Sequence, residues 1–169
     1  MMKLANLERV IAELALSARP LQVLWQEGDL LAFVARGRAH RSEFHVDPSD
    51  ETMQMLKGRM ELHYLTRGGE RKVAAIEEGE ILHCPAGTPH SPRFAPDAYL
   101  LVIERRRKAG ELDRFLWFCE RCDAKLFETT RHVADYREDP VSAVYKEFDG
   151  SAANRTCRRC GHIAGGTGP

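Results

Sequence analysis

The chain has 169 residues, enough for one ordinary domain and a small appendage, and 43% of them are hydrophobic, so a real core can form. Its 25 basic and 25 acidic residues cancel, which argues against a global field that would gather nucleic acid or an anionic membrane. No apolar run approaches the roughly 18–20 residues of a membrane span, and Glu8, Arg9 and Glu13 interrupt any secretory core after Met1. A cytoplasmic protein is expected, and in that compartment cysteines read as metal ligands before disulfides.

Residues 3–18 predict a helix, because Leu4, Leu7, Val10 or Ile11, and Leu14 recur at three- and four-residue spacing and Pro20 stops the pattern. Residues 22–36 read as two strands around the turn Glu27-Gly28-Asp29. Short runs follow at 41–46, 52–56, 60–65, 72–76, 81–84 and 99–104, with a strong hairpin signal at Arg67-Gly68-Gly69-Glu70. Short strands between Gly or Pro turns mean an antiparallel sandwich or barrel. The basic run Arg105-Arg106-Arg107-Lys108 follows the last of them and reads as a solvated edge. Residues 109–113 look like a linker. Beyond it, 115–162 hold one strand-like run at 125–129 and two Cys-x-x-Cys pairs. The expected organisation is a mostly β barrel with its N-terminal helix over 1–108 and a small extension over 109–169. That extension is too short to bury much core without a metal staple.

Two stretches carry chemistry. The first is His45-x5-Glu51-x6-Gly58; the second is Gly79-x5-Pro85-x-Gly87-x2-His90. Together they resemble the two motifs of the cupin superfamily, whose fold is a double-stranded β-helix, or jelly-roll, barrel. The second pattern is the more specific, with four fixed positions in twelve residues. In the first, Asp47 stands where the usual motif has a second histidine, which leaves His45, Glu51 and His90 as the metal ligands. Two imidazoles and one carboxylate on one face of a metal leave adjacent positions open, the usual arrangement for a non-heme Fe(II) enzyme that binds substrate and oxygen together. His40, His63, His83, His132 and His162 read as ordinary surface or core histidines.

The neighbouring strings narrow the resemblance. Leu-Trp-Gln-Glu-Gly-Asp (24–29), His-Arg-Ser-Glu-Phe-His-Val-Asp (40–47), His-Ser-Pro (90–92), Val-Ile-Glu-Arg (102–105) and Phe-Leu-Trp-Phe-Cys-Glu-Arg-Cys (115–122) look like the 3-hydroxyanthranilate 3,4-dioxygenase family, over about residues 15–163. The resemblance implies an Fe(II)-dependent ring cleavage. The aminophenol binds iron through its hydroxyl and amine, both atoms of O2 enter the product, and the resulting 2-amino-3-carboxymuconate semialdehyde closes to quinolinate unaided, on the tryptophan–kynurenine route to NAD. It further implies that Arg41 grips the substrate carboxylate, as a guanidinium fork can do bidentately. Glu104 would accept the phenol proton or orient the hydroxyl. A homodimer is implied in the same way.

This chain departs from the family at several points. Where the family usually has His-Ser-Pro-Gln-Arg, it has His90-Ser-Pro-Arg93-Phe94, so the second carboxylate-binding arginine is either displaced to Arg93 or absent. Arg36-Gly-Arg-Ala-His40 replaces Gly-Gly-Pro-Asn, and Thr52-Met-Gln-Met-Leu56 replaces Phe-Phe-Tyr-Gln-Leu. A substituted hydroxyanthranilate or another 2-aminophenol is therefore an alternative substrate. A non-enzymatic cupin that senses a small ligand is a third reading. It would use the extension, with Arg155, Arg158 and Arg159, to bind a partner or nucleic acid. The absence of interleaved aromatics near those arginines argues against nucleic acid.

Cys119-x2-Cys122 and Cys157-x2-Cys160 are separated by 34 residues, and two such pairs commonly hold one tetrahedral ion. A site closed by four thiolates is structural or for storage. Its resemblance to the bacterial dioxygenases implies a rubredoxin-like iron, and zinc would satisfy the same ligands. Cys84 reads as a small buried hydrophobe.

Overall fold

The computed structural model describes residues 2–37 and 41–165. Arg38–His40, the end of the divergent stretch before the first motif, lie outside the described residues, and the reading of His40 with them.

The expected helix is α1 (Leu7–Ala15), with Asn6 as its N-cap accepting from the Arg9 amide. Its buried face, Val10 and Leu14, packs on Val34, Tyr99 and Leu101, so it lies outside the barrel. Next come β1 (Leu21–Glu27), β2 (Leu30–Arg36), β3 (Phe44–Val46), β4 (Glu51–Lys57), β5 (Arg59–Leu65), β6 (Arg71–Glu77), β7 (Ile81–Cys84), β8 (His90–Phe94), β9 (Tyr99–Arg105), β10 (Asp113–Phe118) and β11 (Lys125–Arg131). They form two antiparallel sheets, one in the order β1-β2-β9-β4-β7 and the other β11-β10-β3-β8-β5-β6. This is the expected cupin jelly roll. Its interior is filled by alternate residues of both sheets, among them Phe33, Met53, Met55, Leu62, Leu100 and Val102.

Two strands were not anticipated. β8 contains Pro92 and would pass for a loop; β10 falls in the stretch read as a linker and tail. Strands β10 and β11 lie beyond Lys108 yet continue the six-stranded sheet, β10 pairing with β3. A helix at Pro140–Asp149 (α2) was also unforeseen. Asp139 caps it, and its Val144, Tyr145 and Phe148 bury against Phe115 and Trp117. A last short helix, α3 (Ala152–Arg155), leads to the second cysteine pair.

The turns keep the motif glycines for a physical reason. Gly58, between β4 and β5, has φ +76, and a Cβ there would lie 3.2 Å from the Ala98 backbone. Only glycine takes both the left-handed conformation and the close approach.

The basic run after β9 corrects the sequence reading. Lys108 is exposed, but the Arg107 side chain is only 1% exposed. The chain turns inward there, and the guanidinium enters the barrel end instead of decorating a solvated edge. No helix among the described residues is long and apolar enough to cross a membrane.

Candidate active site

The two motif stretches meet across the sheet. β3 and β8 pair with His45 directly opposite His90, and the rings lie 5.6 Å apart. Glu51, first residue of β4, comes from the facing sheet. One ligand atom from each of His45, Glu51 and His90 lies within 4.8 Å of the others, and all three residues are buried. His90 Nδ1 faces the Thr88 carbonyl oxygen at 3.0 Å. A carbonyl only accepts, so the proton sits on Nδ1 and the Nε2 lone pair is free. That Nε2 is 3.2 Å from Glu51 Oε1, a buried oxygen without a hydrogen-bond partner. Burial, then the charge of His45, pushes the His90 pKa down to about 3. Burial, then the charge of Asp47, raises Glu51 to about 7. A neutral imidazole and an orphaned carboxylate oxygen converging in a dry cavity fit a divalent cation.

His45 is held from behind. Its Nε2 lies 2.7 Å from Asp113 Oδ2, and its ring stacks on Phe115 with centroids 4.8 Å apart and planes 8° apart. Burial would lower the His45 pKa, but the hydrogen bond and charge of Asp113 outweigh it and raise it. Carboxylate–histidine pairs of this kind orient metal ligands and strengthen them as donors. Asp47, in the place of a second motif histidine, has both oxygens engaged. Oδ1 accepts from the Ser49 amide and hydroxyl at 2.7 and 2.8 Å, and Oδ2 accepts from Arg107 at 2.5 Å.

Arg41 lines the same cavity as the three ligands and is largely buried. Burial would lower its pKa, but neighbouring Glu43 outweighs that and raises it. Arg41 Nε donates to Glu43, which also accepts from the Tyr145 hydroxyl at 2.5 Å. The same hydroxyl accepts from the Ser42 amide at 2.7 Å, so α2 pins the backbone beside Arg41. Glu104 stands opposite Glu51 in the β4–β9 register. Burial, then a hydrogen bond with Asp47, raises its pKa well above the ordinary carboxylate range. Its Oε1 is a second buried oxygen without a partner.

Strand parity separates Arg93 from Phe94. His90, Pro92 and Phe94 line the inner cavity, whereas Arg93 is exposed on the opposite side of β8, beside Arg71 and His63. The rest of the cavity wall is mostly apolar, with Phe33, Met53, Leu100, Val102, Tyr136 and Val141, and Arg36 is a second arginine lining it.

The sequence did not single out Arg107, Asp113, Glu43, Tyr136 or Tyr145. Asp113 and Tyr136 come from the chain beyond the barrel motifs and have no short-range signal. The acidic residue heading the apolar run of β10 was the one available hint. Of the remaining histidines, His83 pairs with Asp50 at the surface, 3.1 Å apart, and His132 lies 2.8 Å from the Glu111 carbonyl oxygen.

The four cysteines also assemble. Cys119 and Cys160 Sγ are 3.6 Å apart, Cys122 and Cys157 Sγ 3.5 Å, and all four lie within 4.8 Å of one another. Each pair is bent by the same turn, in which Asp123 N donates to Cys119 O and Gly161 N to Cys157 O, both at 2.9 Å. Burial opposes ionisation of Cys157, but the Cys160 and Arg159 amides win and bring its thiol down to about 6. Four converging sulfurs, two buried and two partly exposed, fit a tetrahedral thiophilic ion. Cys84 is buried.

Comparison with known proteins agrees with this geometry. A profile of the family described as 3-hydroxyanthranilic acid dioxygenase matches residues 13–149. Proteins named 3-hydroxyanthranilate 3,4-dioxygenase are similar over most of the chain. That of Bacillus thuringiensis is 37% identical over 142 residues, 84% of this chain and 79% of its own length. That of Paraburkholderia phytofirmans is 33% identical over 144 residues, covering 84% and 81%. That of Neurospora crassa is 33% identical over 137 residues, covering 80% and 74%. Among solved structures, a protein of Bacillus halodurans superposes with a TM-score of 0.51 at 14% identity, over 66% of this chain and 86% of that one. A protein of Neisseria meningitidis gives 0.50 at 18%, over 61% and 99%; these two bear on the fold alone. With the profile spanning both metal-motif stretches and three relatives above 30% identity, the chain belongs to the 3-hydroxyanthranilic acid dioxygenase family of metal-binding cupins.

Proposed function

We propose that this protein is an Fe(II)-dependent dioxygenase that converts 3-hydroxyanthranilate and O2 to 2-amino-3-carboxymuconate semialdehyde. The reading rests on one observation above the rest. His45, Glu51 and His90 converge on a cavity that Arg41 also lines, and Glu104, a carboxyl with a raised pKa, stands opposite Glu51 in the β4–β9 register. The names of the relatives give the substrate.

In this reading His45, Glu51 and His90 would hold the iron, which would bring the aminophenol and oxygen together and let electrons pass between them. The residues do the rest. Arg41 binds the substrate carboxylate through its guanidinium, and its ion pair with Glu43 presets the fork at the cavity wall. Glu104, held neutral by its raised pKa and with an unpartnered Oε1, orients the substrate hydroxyl, and once it has lost its own proton it accepts the phenol proton and leaves the oxygen negatively charged. Phe33, Phe94, Leu100 and Val102 sandwich the ring and keep water from the opening ring. Both oxygen atoms remain in the product, whose amine and aldehyde then condense without the enzyme.

The four cysteines hold a second iron, or zinc, in a structural role. The division into a barrel over 1–108 and an extension over 109–169, whose first two strands lengthen one of the barrel's sheets, a cytoplasmic location and a homodimer complete the reading. A substituted hydroxyanthranilate or another 2-aminophenol is the second reading. What favours it is Phe94 lining the cavity while Arg93 lies outside it, so that an apolar ring substituent is accommodated and one arginine contact with the carboxylate is missing.

The test is anaerobic reconstitution with Fe(II), then addition of 3-hydroxyanthranilate in air, following oxygen uptake with the ring-opened chromophore. Uptake at one O2 per substrate is expected. No uptake by protein shown to hold iron removes this substrate, and parallel runs with ring-methylated hydroxyanthranilates and 2-aminophenol decide the second reading.

A further inference from the structure

Arg107 belongs to a run of four basic residues, yet its guanidinium is buried at the closed end of the barrel. Nε and Nη2 donate to the two oxygens of Asp113, both at 2.6 Å, a bidentate fork. Nη1 donates to Glu104 Oε2 at 3.1 Å, and Nη2 also donates to Asp47 Oδ2 at 2.5 Å and to the Tyr136 hydroxyl at 3.2 Å. One side chain thus ties three buried carboxylates and a tyrosine that come from four separate parts of the chain. Each tied group bears on the site. Asp113 holds His45 Nε2, Glu104 faces Glu51 across the β4–β9 register, and Asp47 lies two residues from His45 on the same chain segment. Asp47, Glu51 and Glu104 bring oxygens within 4.8 Å of one another, as do Asp47 and Asp113 with His45. Without a cation behind them these carboxylates would repel one another and swing. Arg41, which lines the same cavity as Glu51, is paired with Glu43, and Arg36 donates to the Leu14 and Ser17 carbonyl oxygens.

We propose that Arg107 is a positioning residue of the metal centre: through its fork on Asp113 it fixes the His45 imidazole, and through Glu104 and Asp47 it sets the wall opposite Glu51. It touches neither substrate nor metal. Its shape matters as much as its charge, because a lysine ammonium on a flexible stem cannot span three carboxylates with a planar fork. Partners that orient metal ligands in this way are commonly worth ten- to a hundredfold in metal affinity.

The inference rests on the proposed metal role of His45, Glu51 and His90, and the test separates the two. Anaerobic Fe(II) titration of protein with its four-cysteine site already filled gives the affinity of the His45–Glu51–His90 site without any substrate. Arg107→Met is expected to bind Fe(II) there roughly ten- to a hundredfold more weakly, with four-cysteine metal and far-ultraviolet dichroism unchanged. Arg107→Lys should recover only part of the loss. At saturating Fe(II), kcat with 3-hydroxyanthranilate should fall while KM changes little. Asp113→Asn, which keeps shape and removes the charge, should reproduce the loss, and the double variant should be no worse than the weaker single one. Wild-type Fe(II) affinity in folded Arg107→Met overturns the proposal. Should that variant fail to fold, wild-type affinity in Asp113→Asn overturns it equally. If wild-type protein binds Fe(II) at this site but does not turn over the substrate, the proposed activity fails and the positioning role stands.

Discussion

Glu51 and His90 face each other across 3.2 Å with opposite tendencies. Burial, then Asp47, holds Glu51 protonated up to about pH 7, while burial, then His45, keeps His90 neutral down to about 3. In the metal-free fold Glu51 binds its proton more tightly than the unfolded chain does, so its contribution to stability is present in acid and lost as pH rises through about 7. His90 binds its proton less tightly, so its contribution is present above the ordinary histidine range and lost as pH falls toward about 3. For a metal the consequence has one sign, because the proton on Glu51 must leave before the ion can bind. Apparent Fe(II) affinity of this site should therefore climb by about tenfold per pH unit below 7 and flatten above it. Anaerobic titrations between pH 5.5 and 8 check this, and a flat profile below pH 7 would contradict the protonated carboxyl. At this scale the sequence was informative where chemistry is local. His45, Glu51 and His90 were legible from the motif pattern, and Arg41 only through the family resemblance of its surroundings. Arg107 was not, because its burial comes from how the chain turns after β9, and a basic run looks the same inside as outside. Asp113 was hidden for the same reason.

Among the elements, β10 does the most for the site and was the least expected. Residues 113, 115 and 117 share one face: Asp113 on His45 Nε2, Phe115 stacked on the His45 ring, and Trp117 stacked on Phe148 at 4.6 Å; the first cysteine follows just past the end of the strand. The other face, Leu116 and Phe118, packs on Phe44 and Val46, where Arg71 lies over the Phe44 and Phe118 rings at 5.0 and 4.9 Å. Both faces are apolar, so the run lacks the alternation of a half-exposed strand and merges with its cysteine-rich surroundings. β8 was missed for a different reason, since Pro92 forbids one ladder hydrogen bond and reads as a turn. The strands with one wet face, β4 to β6, were legible for the opposite reason. Phe115 is 1% exposed, and Phe115→Ala should cost about 3–5 kcal/mol by opening a cavity in the aromatic cluster. Urea unfolding of the metal-loaded variant measures the loss. A change under about 1 kcal/mol would mean that the His45 ring is supported by Asp113 alone.

At the scale of the molecule, the chain after β9 is wrapped back onto the barrel. It supplies Asp113 behind His45, Tyr136 and Val141 to the cavity wall, and Tyr145 to the Arg41 segment. The four thiolates meanwhile lie on separate knuckles. The two metal centres should therefore be chemically separable. Glu51→Ala should abolish turnover and retain four-cysteine metal, whereas Cys119→Ser should lose that metal and keep substantial turnover. Metal content by atomic emission, read beside oxygen uptake, distinguishes the two, and a folded Cys119→Ser protein without turnover would refute the separation. Separable chemistry does not mean independent geometry, because β10 runs from the acid behind His45 to Phe118, the residue before the first thiolate. On a strand, facing is a matter of even and odd. Adding one residue between Asp113 and Trp117 would leave either the acid or the stacked indole pointing to the wrong side. Length changes that preserve this face are thus confined to steps of two, or to the loop before Asp113 and the stretch after Trp117, where the pairing with β11 already shifts register. The spacing of Asp113 and Trp117 is a phase lock that sequence drift can shift only in pairs.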